Sequence, residues 1–246
     1  MNIFSLFKRK IIYNFRNKIP IDQDDSKGMS LDKLFNLYGS DKANEFKKNI
    51  PGHGFSQYYE KKFNEIKNKD IKILEVGSYA GASAAAFVKY FYKVKVFCFD
   101  INISNFSYKS KDIFVFGLDV NNEKKVTSTI NNIFNMNKFK SFDIIIDDGS
   151  HLLSDIVKSF NFFFQYLNSG GYYIIEDFKH PNYYNYNNDI DHIFVDEIIE
   201  NFRKKKTFRS SLISKERQLY LINTIKDIQT FKGNLSDSDI CFIKKK

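Results

Sequence analysis

From residue 71 onward the chain alternates short apolar runs with stretches whose apolar side chains recur at helical spacing. The runs 71–76, 94–99, 113–118, 142–147 and 172–175 are rich in Ile, Val and Phe and read as buried strands. Between them, 82–92, 123–134 and 152–167 read as helices, with Gly170-Gly171 as the stop of the last. A further helix over 190–205 follows from Ile190, Ile193, Phe194, Ile198 and Phe202. This alternation predicts an α/β fold with a doubly wound, mostly parallel sheet. The tail departs from it. Residues 219–223, 225–231 and 240–244 are strand-like, and only turn residues precede the last, which predicts an antiparallel pair on the sheet edge.

Upstream, 31–38 reads as a short helix closed by Gly39, followed by loops at Ser40-Asp41-Lys42 and Pro51-Gly52-His53-Gly54 and a helix over 58–67. A polar stretch, 20–30, sets apart residues 1–18, where apolar side chains alternate with Lys8, Arg9, Lys10 and Arg16. The expected organisation is a peripheral helical segment, 1–30, and one domain, 31–246. The segment is expected to pack on the body or on a partner subunit, with weak attachment to a membrane surface as the alternative.

Two stretches carry candidate chemistry. Strand 142–147 ends in Asp147-Asp148-Gly-Ser-His151, and Ser150 is placed to cap the following helix. Ligands of open parallel sheets bind outside the carboxyl ends of the strands, so two acids and an imidazole sit where chemistry is done. Asp148, Gly149 and Ser150 would equally serve as a plain strand-to-helix turn. The second stretch, Glu75-Val-Gly77-Ser78-Tyr-Ala-Gly81, follows a strand and opens a helix, so a ligand can approach backbone amides there. It has neither the Gly-x-Gly-x-x-Gly spacing of dinucleotide binders nor the Gly-Lys-Ser/Thr of a phosphate loop. Glu75 suits a cationic ligand, and Asp100, ending the next strand, is placed for ribose hydroxyls.

Together, Glu75-x-Gly77-x-x-x-Gly81, Asp100 and Asp119 resemble class I S-adenosylmethionine-dependent methyltransferases. Within that class, Tyr38-Gly-Ser-Asp41-Lys42, Ile146-Asp-Asp-Gly-Ser-His151 and Gly170-Gly-Tyr-Tyr-Ile-Ile-Glu176-Asp177 resemble the metal-dependent sugar O-methyltransferases of macrolide biosynthesis. The likeness covers 34–177 and leaves the first thirty residues unmatched. It implies a Rossmann-like sheet of seven strands, S-adenosylmethionine as methyl donor, and Mg2+ or another divalent cation. By resemblance, Asp148, Glu176 and Asp177 hold the metal and His151 is the general base. Glu75, Gly77, Ser78, Gly81, Asp100, Asp119 and Asp147, with Ser40 and Lys42, would contact the methyl donor.

Elementary chemistry agrees with this assignment. Carboxylates crowded at neighbouring strand ends repel, and a hard cation relieves the repulsion. A sugar hydroxyl is a poor nucleophile until coordination acidifies it, and His151 could then take its proton. His53, Tyr59, His180 and Tyr183 are candidates to touch the acceptor, each with ordinary packing as its alternative role.

A chain of 246 residues, 43% hydrophobic, can bury the core of one large domain. Its net charge of +9 favours anionic partners, but the lysines are scattered, so nucleic acid is not an expected partner. Cys98 and Cys241 lie in apolar runs and read as buried, reduced thiols of a cytoplasmic protein. No apolar run approaches the ~20 residues of a membrane span, so stable membrane insertion is not expected. The expected activity is O-methylation of a sugar hydroxyl, carried by a nucleotide-activated sugar for surface polysaccharide. A homo-oligomer, with a dimer first, is the expected assembly. The rivals are a relative acting on an amino sugar, phenol or other natural product, a basic nucleic-acid-binding protein, and a catalytically silent relative.

Overall fold

The computed structural model describes residues 3–184 and 193–246. The chain forms two compact units, Met1–Lys140 and Ser141–Lys246. In chain order the first holds α1 (Ile3–Phe15), β1 (Ile19–Pro20), α2 (Leu31–Tyr38), β2 (Glu45–Lys47), β3 (Ile50–Pro51), α3 (Ser56–Phe63), β4 (Asp70–Val76), α4 (Ala82–Tyr90), β5 (Lys93–Asp100), β6 (Tyr108–Lys109), β7 (Ile113–Gly117) and α5 (Glu123–Asn137). Strands β4, β5 and β7 are parallel neighbours, and their register pairs Val76 with Phe99 and Asp100 with Gly117. Three carboxyl ends therefore finish side by side, which is what positions a ligand site in this class of sheet.

Local signals explain these elements. The Ser30 side chain accepts from the Lys33 amide to start α2, and Gly39, at φ 76°, closes it. Leu31, Leu34, Phe35 and Tyr38 share the buried face of α2. Phe35, Tyr59, Phe63 and Phe87 form an aromatic core with ring centroids 5.2–6.1 Å apart. Tyr59, expected near the acceptor, is 0% exposed inside this cluster and holds a packing position.

Residues 20–30 are bound into the first unit. Strand β1 pairs with β6, and Ile21 is 1% exposed. Asp24 accepts hydrogen bonds from the hydroxyls of Ser26 and Tyr38 and pairs with Lys89 Nζ at 2.9 Å. Burial alone would raise the Asp24 carboxyl, but hydrogen bonds from Ser26, Tyr38 and Lys89 outweigh it and hold the pKa at about 2.

The second unit holds β8 (Phe142–Asp147), α6 (Leu153–Phe163), β9 (Leu167–Glu176), α7 (His180–Tyr184), α8 (Val195–Arg203), α9 (Lys215–Thr224), β10 (Ile225–Lys232) and β11 (Asp239–Lys245). Strand β8 runs parallel to β9, whereas β11 is antiparallel to both β9 and β10. A mostly parallel, seven-stranded sheet with an antiparallel C-terminal pair is the expected α/β class. Cys98 and Cys241 are free and buried.

Four expectations need correction or limits. Residues 219–223 are helical, within α9. Ser214 accepts from the Arg217 amide, and Gln218, Leu221 and Ile222 are buried at helical spacing. The glycine pair does not stop a helix but lies inside β9. Pairing with β8 slips there, from Phe142–Leu167 to Ile144–Tyr172, the mark of a bulge, and Gly170 sits at φ 77°. Ser150 is not the cap of α6. That position falls to Leu152, while the Ser150 hydroxyl donates to Asp155 Oδ2 at 2.5 Å. Helix α8 covers only the later part of the predicted 190–205 helix, and the predicted start at Ile190 lies outside the described residues.

The bulge gives a stability prediction. A Cβ at Gly171 would lie 2.7 Å from the Asp143 carbonyl oxygen, whereas one at Gly28 would meet nothing within 4 Å and bear only the strain of φ 94°. Urea unfolding should show Gly171→Ala losing about 2–3 kcal/mol and Gly28→Ala about 1 kcal/mol. A second prediction concerns Asp24, whose folded pKa lies below the ordinary carboxylate value, so its stabilisation is present above that value and lost as pH falls towards 2. Asp24→Asn should be less stable than the parent at neutral pH, with the gap narrowing below about pH 4.

Candidate active site

In the first unit, the turn after β4 is built to leave its backbone open. Gly77 and Gly81 take φ 87° and 78°, and a Cβ at Gly81 would strike the Phe106 ring at 2.3 Å. Both oxygens of Asp100 are occupied by backbone amides, Oδ2 by Tyr79 at 2.7 Å and Oδ1 by Asn102 at 2.5 Å. Asp100 thus fixes the turn at its own strand end and keeps lone pairs for further donors. Glu75 is fully buried and takes a hydrogen bond from the Ser83 hydroxyl. Ser78, 4% exposed, donates to the Glu75 carbonyl at 3.3 Å. Asp119 follows β7 and accepts from the Asn121 amide. Ser40 and Lys42 are buried in the loop after α2, where the Lys42 amide donates to Ser40 Oγ at 3.4 Å. His53 is half-buried, with Nε2 3.9 Å from Asp41 Oδ2.

The sequence pattern gives no sign of Tyr79. It is 68% exposed at φ 41°, an uncommon conformation for a bulky residue. Its position within the glycine turn is the one available clue.

In the second unit, β8 and β9 are in parallel register, Asp147 opposite Ile175, so the residues that follow each strand emerge together. Ligand atoms of Asp148, His151 and Asp177 all lie within 4.8 Å of one another, and His151 Nε2 is 3.6 Å from Asp148 Oδ1. Two of the three have left-handed backbones, His151 at φ 56° and Asp177 at φ 49°. Each such conformation costs on the order of 1–3 kcal/mol and survives only where its surroundings impose it. The two carboxylates suit a divalent cation, which would offset their repulsion, and the imidazole lies beside them.

Glu176, expected as a third metal ligand, is 2% exposed and outside this close group. Glu176 is the last residue of β9, and the chain turns at Asp177, φ 49°. Asp147 is 5% exposed, and its Oδ2 accepts from the Tyr173 hydroxyl at 3.3 Å. Burial pushes the Asp147 carboxyl up to about 6, against hydrogen bonds from Ser159 and Tyr173 and the charge of His151.

His180 flanks the acids. Its ring lies 5.4 Å from that of His151 and 4.3 Å from that of Tyr184, and its amide donates to the Asp177 carbonyl at 2.8 Å. Burial and neighbouring His151 lower its pKa, against Asp177 and Asp237. Tyr183 donates to Asp239 Oδ2 at 2.8 Å, and Tyr184 to Asp237 Oδ2 at 2.7 Å. Lys232 joins both Asp239 and Tyr183. Manganese titration followed by electron paramagnetic resonance should show Asp177→Asn and Asp148→Asn each weakening the ion at least tenfold, about 1.4 kcal/mol. Asn182→Ala should bind as the parent does.

No family model matches the chain. Demethylmacrocin O-methyltransferase of Streptomyces fradiae is 28% identical over 132 residues, 51% of this chain and 32% of that protein. L-olivosyl-oleandolide 3-O-methyltransferase of Streptomyces antibioticus is 27% identical over 166 residues, 60% of this chain and 36% of that protein. The chain thus spans about a third of the length of these curated relatives. Among solved structures, the MycE methyltransferase of the mycinamycin pathway, in complex with Mg, SAH and mycinamycin VI, superimposes with a TM-score of 0.67 at 19% identity, covering 89% of this chain and 55% of that one. The chain has the fold of the S-adenosylmethionine-dependent methyltransferases and is similar in sequence to their sugar O-methylating members.

Proposed function

We propose that this protein is an S-adenosylmethionine-dependent O-methyltransferase that methylates a sugar hydroxyl with the help of a divalent cation. The observation that carries the reading is the convergence of Asp148, His151 and Asp177 at the ends of β8 and β9. Its resemblance to sugar O-methyltransferases of antibiotic pathways supports the choice of acceptor.

The residues divide the work. Gly77 and Gly81 keep the turn after β4 open to the methyl donor, and Asp100 holds that turn through the Tyr79 amide. When bound, the donor supplies a sulfonium methyl group and the cation acidifies the acceptor hydroxyl. Asp148 and Asp177 would provide oxygen ligands that Mg2+ prefers, and Glu176, the last residue of β9, is the proposed third. His151 takes the hydroxyl proton, and its Nε2 lies 3.6 Å from Asp148 Oδ1, which orients the ring. His180 and Tyr183 are assigned to the acceptor. A nucleotide-activated sugar for surface polysaccharide is the preferred acceptor, and the net charge of +9 is compatible with such an anionic molecule. We place the reaction in the cytoplasm, in a homodimer.

The test is methyl transfer to candidate sugars and nucleotide sugars with and without Mg2+. His151→Ala should lower kcat by about 10²–10⁴-fold while leaving S-adenosylhomocysteine affinity unchanged. Transfer that persists undiminished in a chelator, or in His151→Ala, would contradict the mechanism.

A further inference from the structure

Helix α1 turns an apolar stripe towards solvent. Phe4 is 81% exposed, Phe7 64%, Ile11 41% and Phe15 86%, and the intervals of three and four residues place them on one face. Ile12, 42% exposed, borders the stripe. The opposite side fixes the helix to the first unit. Arg9 donates to the Ile101 carbonyl at 2.8 Å, Arg16 donates to the Ser104 carbonyl at 3.1 Å, and the Tyr13 ring meets Phe106 edge-on at 6.3 Å. The stripe therefore faces outward by construction, since the clamp orients it.

Charge identifies what the stripe fits. Residues 1–21 carry Lys8, Arg9, Lys10, Arg16 and Lys18 and no acid. Lys8 and Lys10 are exposed on α1 itself. Large exposed apolar side chains on a cationic helix are the signature of a helix lying in the plane of a membrane interface. We propose that α1 seats the protein on the surface of an anionic phospholipid bilayer, with Phe4, Phe7, Ile11 and Phe15 among the acyl chains and the lysines at lipid phosphates. Pairing α1 with α1 of a second copy would oppose two acid-free cationic segments, so charge favours the lipid. Among the described residues no helix is long and apolar enough to cross a membrane, and the seat is interfacial. This inference is independent of the proposed reaction.

The test is co-sedimentation of the full chain with vesicles of phosphatidylcholine alone and of phosphatidylcholine mixed with phosphatidylglycerol, at low and high salt. Binding should require the anionic lipid and fall with salt. Phe4→Ser combined with Phe15→Ser should weaken it by about tenfold or more for each phenylalanine, with an unchanged Tm. Lys8→Gln with Lys10→Gln should reduce the preference for anionic vesicles. Leu219→Ser, on an exposed side chain elsewhere, should bind normally. Failure of the parent chain to sediment with anionic vesicles at low salt would overturn the proposal, as would full binding by the phenylalanine variant. A dimer that dissociates in that variant, without vesicle binding by the parent, would assign the face to a second copy instead.

Discussion

The parallel register of β8 and β9 is the constraint on which the candidate chemistry depends. It sets Asp147 opposite Ile175, so Asp148 and Asp177 leave adjacent strands at the same edge. Carboxylates brought that close repel one another, and a cation between them would offset the repulsion. The fold nevertheless holds them there, with His151 and Asp177 in left-handed conformations that few side chains adopt.

Around that edge the second unit builds a support from distant parts of the chain. Tyr183 and Tyr184, just after the acids, are held by Asp239 and Asp237 of the C-terminal hairpin. Asp239 is 4% exposed and is neutralised by Lys232 and Lys179. The antiparallel pair thus does more than close the sheet, because it fixes the short helix that carries His180. The first unit solves a different problem. Its glycine turn takes left-handed backbones at Gly77 and Gly81, the latter against the Phe106 ring, and Asp100 supplies the rigidity that glycine lacks.

Much of this was legible because the signals were local. The Ile144–Ile146 run and the Gly39 stop each act within a few residues and predicted β8 and α2 correctly. What escaped depended on longer-range geometry. The apolar run Leu219–Ile222 fits strand or helix equally, and burial of Gln218 and Leu221 decides for helix. A glycine pair reads as a stop until the neighbouring strand shows that it makes a bulge. Glu176 and Asp177 look equivalent in sequence, yet the chain turns at Asp177, and the close group with Asp148 and His151 holds Asp177. Residues 20–30 look like a spacer because their anchors, Tyr38, Lys89, Tyr108 and Lys109, lie far along the chain. Tyr183 keeps its expected place after the acids, but its partner Asp239 is 56 residues away and left no local trace.

The central claim is that the first unit takes a methyl donor of the adenosyl-sulfonium class. Calorimetric titration with S-adenosylhomocysteine, with NAD and a short DNA duplex as controls, tests it without knowledge of the acceptor. The account predicts micromolar binding of S-adenosylhomocysteine alone, weakened at least tenfold by Asp100→Ala in a protein that keeps its Tm. No binding by the folded parent chain at modest salt, or equal binding of NAD, would contradict it.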